Sequence, residues 1–278
     1  MTILLYACNV LCSAGQSALS KQCAKRDGDA LTFNINKAVI GAVLFLVVGL
    51  IGGFSLHLPT ILFAVGYGLA LCFSMHTGFK ALSIGPMALT SVIASFSLII
   101  PFFFGICFWN ETLTLFKALG IGLLLLSVWL INAKREQGFS LRWLCYALLT
   151  LLANGICSVL QKMHQLQFPT LYRNEFMFWA MLCVFLVLLV ANIPKKPCIT
   201  VFRFSLLGLA SGILNCLANY IVLYLSATEH ASVIFPIVSV ANIMAVWIIG
   251  ILVFKERLKP LQMVGLLLGI ASVVMLKQ

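Results

Sequence analysis

Charge is what this sequence has least of. Only 9% of its 278 residues are Asp, Glu, Lys or Arg, and 62% are apolar, with a mean hydropathy of +1.11. Soluble domains are near half apolar and a quarter charged, so a soluble fold is excluded. Acids are scarcer still, seven against 18 basic residues. Asp27, Asp29, Glu111, Glu136, Glu175, Glu229 and Glu256 all fall in loops or at helix ends in the reading below. An intramembrane carboxylate is the usual proton relay or cation counter-ion, and no span has one at its middle. The same lack argues against an embedded hydrolase or transferase, which needs an acid, a base or a metal-binding group in the membrane. No catalytic residue is expected, and the chain is not read as an enzyme.

Metal-binding patterns are missing too. Ten cysteines are present, but no CxxC and no Cys/His cluster at metal spacing. Seven of them (Cys8, Cys12, Cys72, Cys107, Cys157, Cys183 and Cys216) lie in apolar spans, where Cys packs as a small hydrophobe. The histidines, His57, His76, His164 and His230, are scattered. Neither a metal nor a cofactor is expected. The net charge of +11 would suggest nucleic acid in a soluble protein. In a membrane protein basic residues collect in cytoplasmic loops instead, so membrane lipid, not nucleic acid, is the expected surrounding.

What is abundant is apolar span, and one stretch occurs twice. Gly105 to Ile131 and Gly250 to Leu276 share eight identities over 27 residues at an offset of 145. Among them are Glu111/Glu256, Gly120/Gly265 and Ser127/Ser272. Each copy is an apolar span, a turn with one acid and a Leu two residues later, then a second span. In that second span Gly and Ser stand two turns apart on one face, where small side chains let helices approach closely.

Spans of about 20 residues fit a bilayer core. The sequence predicts ten, at 3–23, 33–54, 59–81, 86–109, 114–133, 141–163, 172–193, 203–226, 231–254 and 259–276. The first has no basic residue ahead of it and no cleavage pattern behind it, and reads as a retained helix. The most polar mid-chain break, 133–138, divides the chain into repeats 1–135 and 136–278. Ser17 and Lys21 match Ser158 and Lys162 across that division. Five is odd, so the second copy must be inserted upside down, about an axis in the membrane plane. The fold expected is all-α and polytopic, ten transmembrane helices in two inverted five-helix repeats. Counting Lys and Arg by loop gives 14 on the side of loops 1–2, 3–4, 5–6, 7–8 and 9–10, against 4 on the other. The positive-inside rule then puts both termini outside an integral membrane protein, with a bacterial cytoplasmic membrane the expected location.

Two repeats that each close with Glu-x-Leu, a Gly nine residues after the Glu and a small residue sixteen after it resemble the EamA-type transporters of the drug/metabolite transporter superfamily. The resemblance covers essentially the whole chain. Ser127 and Ser272 stand where a second Gly is common, and the turns read Asn110-Glu111 and Lys255-Glu256 in place of Gly-Glu. The resemblance implies a permease working by alternating access, with a cavity between the halves. It also implies cytoplasmic termini, against the loop count, and it names no substrate.

Glu111 and Glu256 open the fifth and tenth spans, where a carboxylate favours the helix N-terminus and caps free N–H groups; with Gly120 and Gly265 they are structural repeat-motif residues. Lys21 and Lys162 sit a turn from their helix ends, either snorkelling to headgroups or contacting a substrate anion. Unpaired amides are not tolerated in hydrocarbon, so deep polar residues face other helices or a water-filled cavity. Gln16, His76, Asn154, Asn215, Asn219, Tyr220, Ser239, Asn242 and Trp247 are the expected substrate-binding set. Asn9, Ser95 and Ser97 are further deep polar residues, though interhelical hydrogen bonding explains any one of these. Together they mark spans one, three, four, six, eight and nine as lining a path. Spans five and ten, almost without polar side chains, become an outer scaffold or a homodimer face. Pro101 and Pro236 interrupt spans four and nine as a hinge or a static kink. Trp109, Trp129 and Trp143 read as interfacial belt residues. Trp179 and Trp247, nearer mid-span, pack or hold a cation.

The reading is a secondary carrier for a small polar metabolite, an amino acid or related compound. A quaternary-amine carrier and, from another class, a membrane-embedded enzyme or lipid-handling protein are the alternatives. A channel would need a carbonyl-lined filter or a charged ring, and neither is visible.

Overall fold

The computed structural model describes residues 2–26, 29–108, 114–132, 140–168, 171–192, 206–228, 242, 245–246, 248–253, 255 and 260–276. Every regular element among them is helical. In chain order these are α1 (Thr2–Lys25), α2 (Ala30–Gly52), α3 (Leu58–Ile84), α4 (Met87–Ser95), a 3₁₀ turn (Phe96–Leu98), α5 (Ile99–Phe108), α6 (Leu115–Asn132), α7 (Leu141–Gln167), α8 (Arg173–Asn192), α9 (Leu206–Thr228) and α10 (Pro260–Leu276). Among the described residues, four segments are long and apolar enough to cross a membrane: Ala30–Gly52, Leu58–Ile84, Leu141–Gln167 and Arg173–Ala191.

Local chemistry sets the boundaries. The Asp29 carboxylate accepts from the backbone N–H groups of Leu31 and Thr32 and starts α2 three residues before the expected position. Gly53, at φ 88°, ends it in the left-handed region that glycine tolerates. Ser140 caps α7 by accepting from the Trp143 N–H at 3.1 Å. The expected span 86–109 is not one helix. Pro101 has no N–H to give the carbonyl of Ser97, and the chain tightens into the 3₁₀ turn at that point.

Trp143 is a correction to the interfacial belt. It is 1% exposed, its indole N–H donates to Thr90 Oγ1 at 2.9 Å, and its ring covers Gly85, where a Cβ would lie 2.0 Å from Trp143 Cδ1. Burial of the ring is affordable because the polar tip has a partner.

The helix pairing obeys the inverted repeat. α1 packs on α9 and α3 on α7; these are the same contact with the halves exchanged, first span on eighth and third on sixth. α2 on α8 and α6 on α10 each pair with their own counterpart. Between α6 and α10 the small faces meet. Ser127 and Ser272 are fully buried, and the Ser127 hydroxyl donates to the Gly265 carbonyl at 2.6 Å. A Cβ on Gly269 would lie 2.9 Å from Ser127 Oγ. Lipid supplies no hydrophobic drive between helices, so close approach over small residues and interhelical hydrogen bonds must hold such a pair.

Candidate functional site

Inside the bundle lies a cavity of about 410 Å³ lined from both halves. α1 contributes Ser13, Gln16, Ser17 and Ser20, at the i, i+3, i+4, i+7 spacing of one helix face. Ser17 and Ser20 donate to the carbonyls of Ser13 and Gln16, at 3.1 and 2.9 Å, so their hydroxyls stay satisfied without water. Opposite, α7 presents Thr150, Asn154, Cys157, Ser158 and Gln161. Two hydroxyl contacts tie α3 to α7 across this wall: Ser74 to Asn154 Oδ1, and Thr150 to Thr77 Oγ1 at 2.9 Å. Thr90, Ser91, Ser95 and Ser97 complete it from α4 and the 3₁₀ turn, with Asn215 and Asn219 from α9, and Asn242.

Among the described residues that line it, one is charged. Lys37, on the face of α2 that also carries Asn34, is 5% exposed and opens onto the cavity. It is held there by close helix packing. Gly208 and Gly212 of α9, one turn apart, lie on the backbone of α2; a Cβ on Gly212 would be 1.9 Å from Ile40 Cγ2 and 3.1 Å from Lys37 Cα. Asn34 Nδ2 and Asn215 Nδ2 are buried without a hydrogen-bond partner, as is Asn242 Oδ1.

Beyond the cavity the bundle is closed by an apolar plug of Phe45, Tyr67, Phe176, Met177, Met181 and Cys216. A second, smaller compartment of about 350 Å³ lies past it, at the other end of α2. Gly49, Gly52 and Ser55 line it with Arg173, Glu175 and Tyr220. Here the carboxylate of Glu175 accepts from the Ser55 N–H at 3.3 Å and the Ser55 hydroxyl at 3.4 Å, joining the α2–α3 connection to α8. Beside it the His57 ring stacks on Tyr172 at 4.5 Å, and Thr60 Oγ1 stands 3.0 Å from His57 Nδ1 and 3.1 Å from His164 Nε2.

Of the residues expected to bind substrate, Gln16, Asn154, Asn215, Asn219 and Asn242 meet in the larger cavity, with Ser95 and Ser97. Tyr220 faces the smaller compartment, and His76 and Lys162 line neither. The Lys21 ammonium donates to the Gly85 carbonyl at 2.9 Å, closing the turn between α3 and α4. Asn9 donates to the Ala218 carbonyl at 2.8 Å, an α1–α9 tie. Trp179 sits among Phe54 and Phe178. Gly120 and Gly265 are buried. Ser239, Trp247, Glu111, Glu256, Trp109 and Pro236 lie outside the described residues, as do the contacts of the Trp129 side chain. No cluster of three His, Cys, Asp or Glu able to hold a metal occurs among the described residues.

Sequence reading missed Lys37 as a site residue: it lies four residues inside the expected span 33–54 and counted only as positive charge on the side of the loop between spans one and two. The signal was Asp29 followed by Thr32, an N-cap pattern that starts the helix at Ala30 and puts Lys37 two turns inside. The Gly208/Gly212 pair, a small-xxx-small motif, was the second signal.

The EamA-like transporter family model matches this chain twice, over residues 1–133 and 141–277. The chain belongs to the EamA-like transporter family. It is therefore a membrane transporter of the drug/metabolite superfamily, and the two matched segments are its two repeats. A crystal structure of a protein 15% identical superposes with a TM-score of 0.64, over 99% of this chain and 95% of that one, and shares the fold. No curated protein matches. Within this EamA-like fold, the larger cavity is the space between the two repeats.

Proposed function

We propose that the chain is a ten-span carrier that moves a small polar metabolite, an amino acid or related compound, by alternating access. The observation that carries this reading is the 410 Å³ cavity between the repeats, lined by hydroxyls and amides from both of them among apolar residues and stopped at one end by an apolar plug. Its volume falls in the range of small-molecule sites, roughly 300–1,000 Å³. Its position between inverted repeats is where carriers place their substrate. Rocking one repeat on the other would open the plug and close the present mouth. The latch of Glu175 on Ser55 would then break.

The cavity lies toward the ends of α1 to α4 that meet at the 26–29 and 85–86 connections. Loop charge puts that end in the cytoplasm and both termini outside. The structure takes Lys21 and Lys37 out of that tally, since both are buried within helices, and the sign of the bias survives. A homodimer through α6 and α10 would use their outer faces, Leu119, Leu126, Val264 and Leu267, because the small faces are occupied by each other.

Counterflow tests the proposal. Liposomes holding the purified chain and loaded with mixed amino acids should accumulate labelled amino acid from outside, saturably. Flux that never saturates, or a covalently altered product, would sink the carrier reading.

A further inference from the structure

The ligand class of the larger cavity can be drawn from Lys37, and this step rests on the carrier reading. α2 begins at Ala30, so Lys37 lies about 10 Å along the helix from its start. A buried ammonium without a counter-charge is costly in a membrane, and such residues mark substrate or ion pathways. Among the described residues lining the cavity none is an Asp or a Glu. The two described carboxylates are engaged elsewhere, Asp29 on the α2 cap and Glu175 in the other compartment. Nearest along α2 is Asn34, one turn away and 2% exposed, whose Nδ2 has no partner; on α9 is Asn215, 7% exposed, also with an unpaired Nδ2. An ammonium and two unpaired amide N–H groups are all donors. The unpaired acceptor on the same lining, Asn242 Oδ1, is neutral, so among the described residues an acceptor with negative charge is what the cavity lacks.

One cation balances one unit of charge. A phosphate monoester carries nearly two at neutral pH and is usually met by several basic groups or an Arg fork. A carboxylate carries one and accepts several hydrogen bonds. A quaternary amine would be repelled by Lys37; of the two mid-span Trp residues that could hold one, Trp179 is packed among Phe54 and Phe178 and Trp247 lies outside the described residues. We infer that Lys37, with Asn34 and Asn215, anchors the carboxylate of a small carboxylate-bearing solute in the cavity between the repeats, and that cationic solutes are excluded from it.

The test puts one reporter cysteine in each compartment of the full chain, with the native cysteines replaced. Ser91→Cys lies in the cavity of Lys37 and Ser55→Cys in the other. Each is reacted with an anionic sulfonatoethyl methanethiosulfonate and its cationic trimethylammonioethyl analogue. The field of a charge in a low-dielectric cleft raises local counter-ion concentration about tenfold or more. The anionic reagent should therefore win by about that factor at Ser91→Cys relative to Ser55→Cys. Lys37→Gln should abolish the preference and Lys37→Arg should keep it. Propionate should slow labelling of Ser91→Cys only when Lys37 is present, and choline should not slow it at all.

Failure of Ser91→Cys to label, a cationic preference, a preference that survives Lys37→Gln, or no protection by propionate would each overturn the inference. Phosphate protecting better than propionate would overturn the carboxylate assignment. Should the cysteine-free chain not purify as a single species, thermal unfolding of the wild-type protein against Lys37→Gln reads the same point: propionate must raise the midpoint of the first alone. Charge preference without counterflow sinks the carrier reading and spares the anion site. Counterflow of a cationic solute, indifferent to Lys37→Gln, sinks the site and spares the carrier.

Discussion

The two ends of α2 face two compartments of similar size and opposite electrostatic design. At its N-terminal end Lys37 is, among the described residues, the only charged side chain in a wall where serines, threonines and amides alternate with apolar residues such as Leu71 and Phe79. At its C-terminal end Arg173 and Glu175 bring both signs to one small space, and the carboxylate is engaged by Ser55. The first environment leaves positive charge and free donors for a ligand to complete. The second pairs its carboxylate with Ser55, a clasp tying the α2–α3 connection to α8, and leaves Arg173 Nε buried without a partner beside that carboxylate. Both compartments keep an unpaired buried donor, Asn34 and Asn215 Nδ2 in the first and Arg173 Nε in the second, so what tells them apart is the carboxylate that stands beside the cation only in the second.

The sharpest way to break that contrast is to remove its one charge. Lys37→Gln should lower saturable uptake by about 10- to 100-fold, the worth of a hydrogen bond to a charged group at about 1.5–3 kcal/mol. Lys37→Arg should recover part of it. Proteoliposome uptake measures both. Uptake within twofold of wild type in Lys37→Gln would make the two compartments equivalent in function.

Next in size is the contact that holds Lys37 in place. Gly212→Val should push α9 from α2, since even a Cβ at that position meets Ile40 Cγ2 at 1.9 Å. Overpacking of this kind costs about 1–3 kcal/mol. A lower unfolding midpoint in detergent is the expected outcome, while the matching change on the outer face, Leu217→Val, should barely move it, since Leu217 is 47% exposed. Equal shifts would mean that α9 is not seated through its glycines.

Much of this molecule is legible in its sequence, for physical reasons that differ from place to place. The doubled motif is legible because Gly265 and Ser127 must be small where α6 meets α10, and a requirement on size leaves a mark on sequence. The amides of the cavity are legible because hydrocarbon forbids them elsewhere, so Gln16, Asn154, Asn215, Asn219 and Asn242 could be expected to converge. Lys37 was not legible by apolar periodicity, because a basic residue near a span boundary looks like a loop residue until the cap at Asp29 is recognised. Trp143 and Lys21 were misread for a related reason. Both lie near helix ends, and whether an end meets lipid or another helix is decided by tertiary packing, here the turn at Gly85 that both of them touch.

Asn219→Ala combined with Asn242→Ala probes the cavity without touching its charge. Both line it, and Asn219 Nδ2 already donates to the Asn215 carbonyl at 2.8 Å, so the pair shapes the wall more than it holds the ligand. A neutral hydrogen bond is worth about 0.5–1.5 kcal/mol. Uptake should fall by about threefold to tenfold with membrane insertion unchanged. Normal uptake kinetics in the double variant would remove Asn219 and Asn242 from the ligand's surroundings and leave Lys37, Asn34 and Asn215 to define the site.

The smallest effect is also the finest test of where one compartment ends. Asn219 and Tyr220 are consecutive on α9, yet the first lines the cavity of Lys37 and the second lines the clasp, 46% exposed. Consecutive helical residues point about 100° apart, so the boundary runs between them. Tyr220→Phe removes one hydroxyl from the clasp side and none from the cavity. Apparent substrate affinity should stay within about twofold, because the hydroxyl lines the smaller compartment and not the cavity of Lys37, and a neutral hydrogen bond is worth only about 0.5–1.5 kcal/mol. A KM raised as far as in the Asn219→Ala, Asn242→Ala variant would mean that the ligand reaches past the plug of Phe45, Tyr67 and Phe176. The two compartments would then be one continuous path in the binding state, and their separation only a feature of the conformation seen with the plug closed.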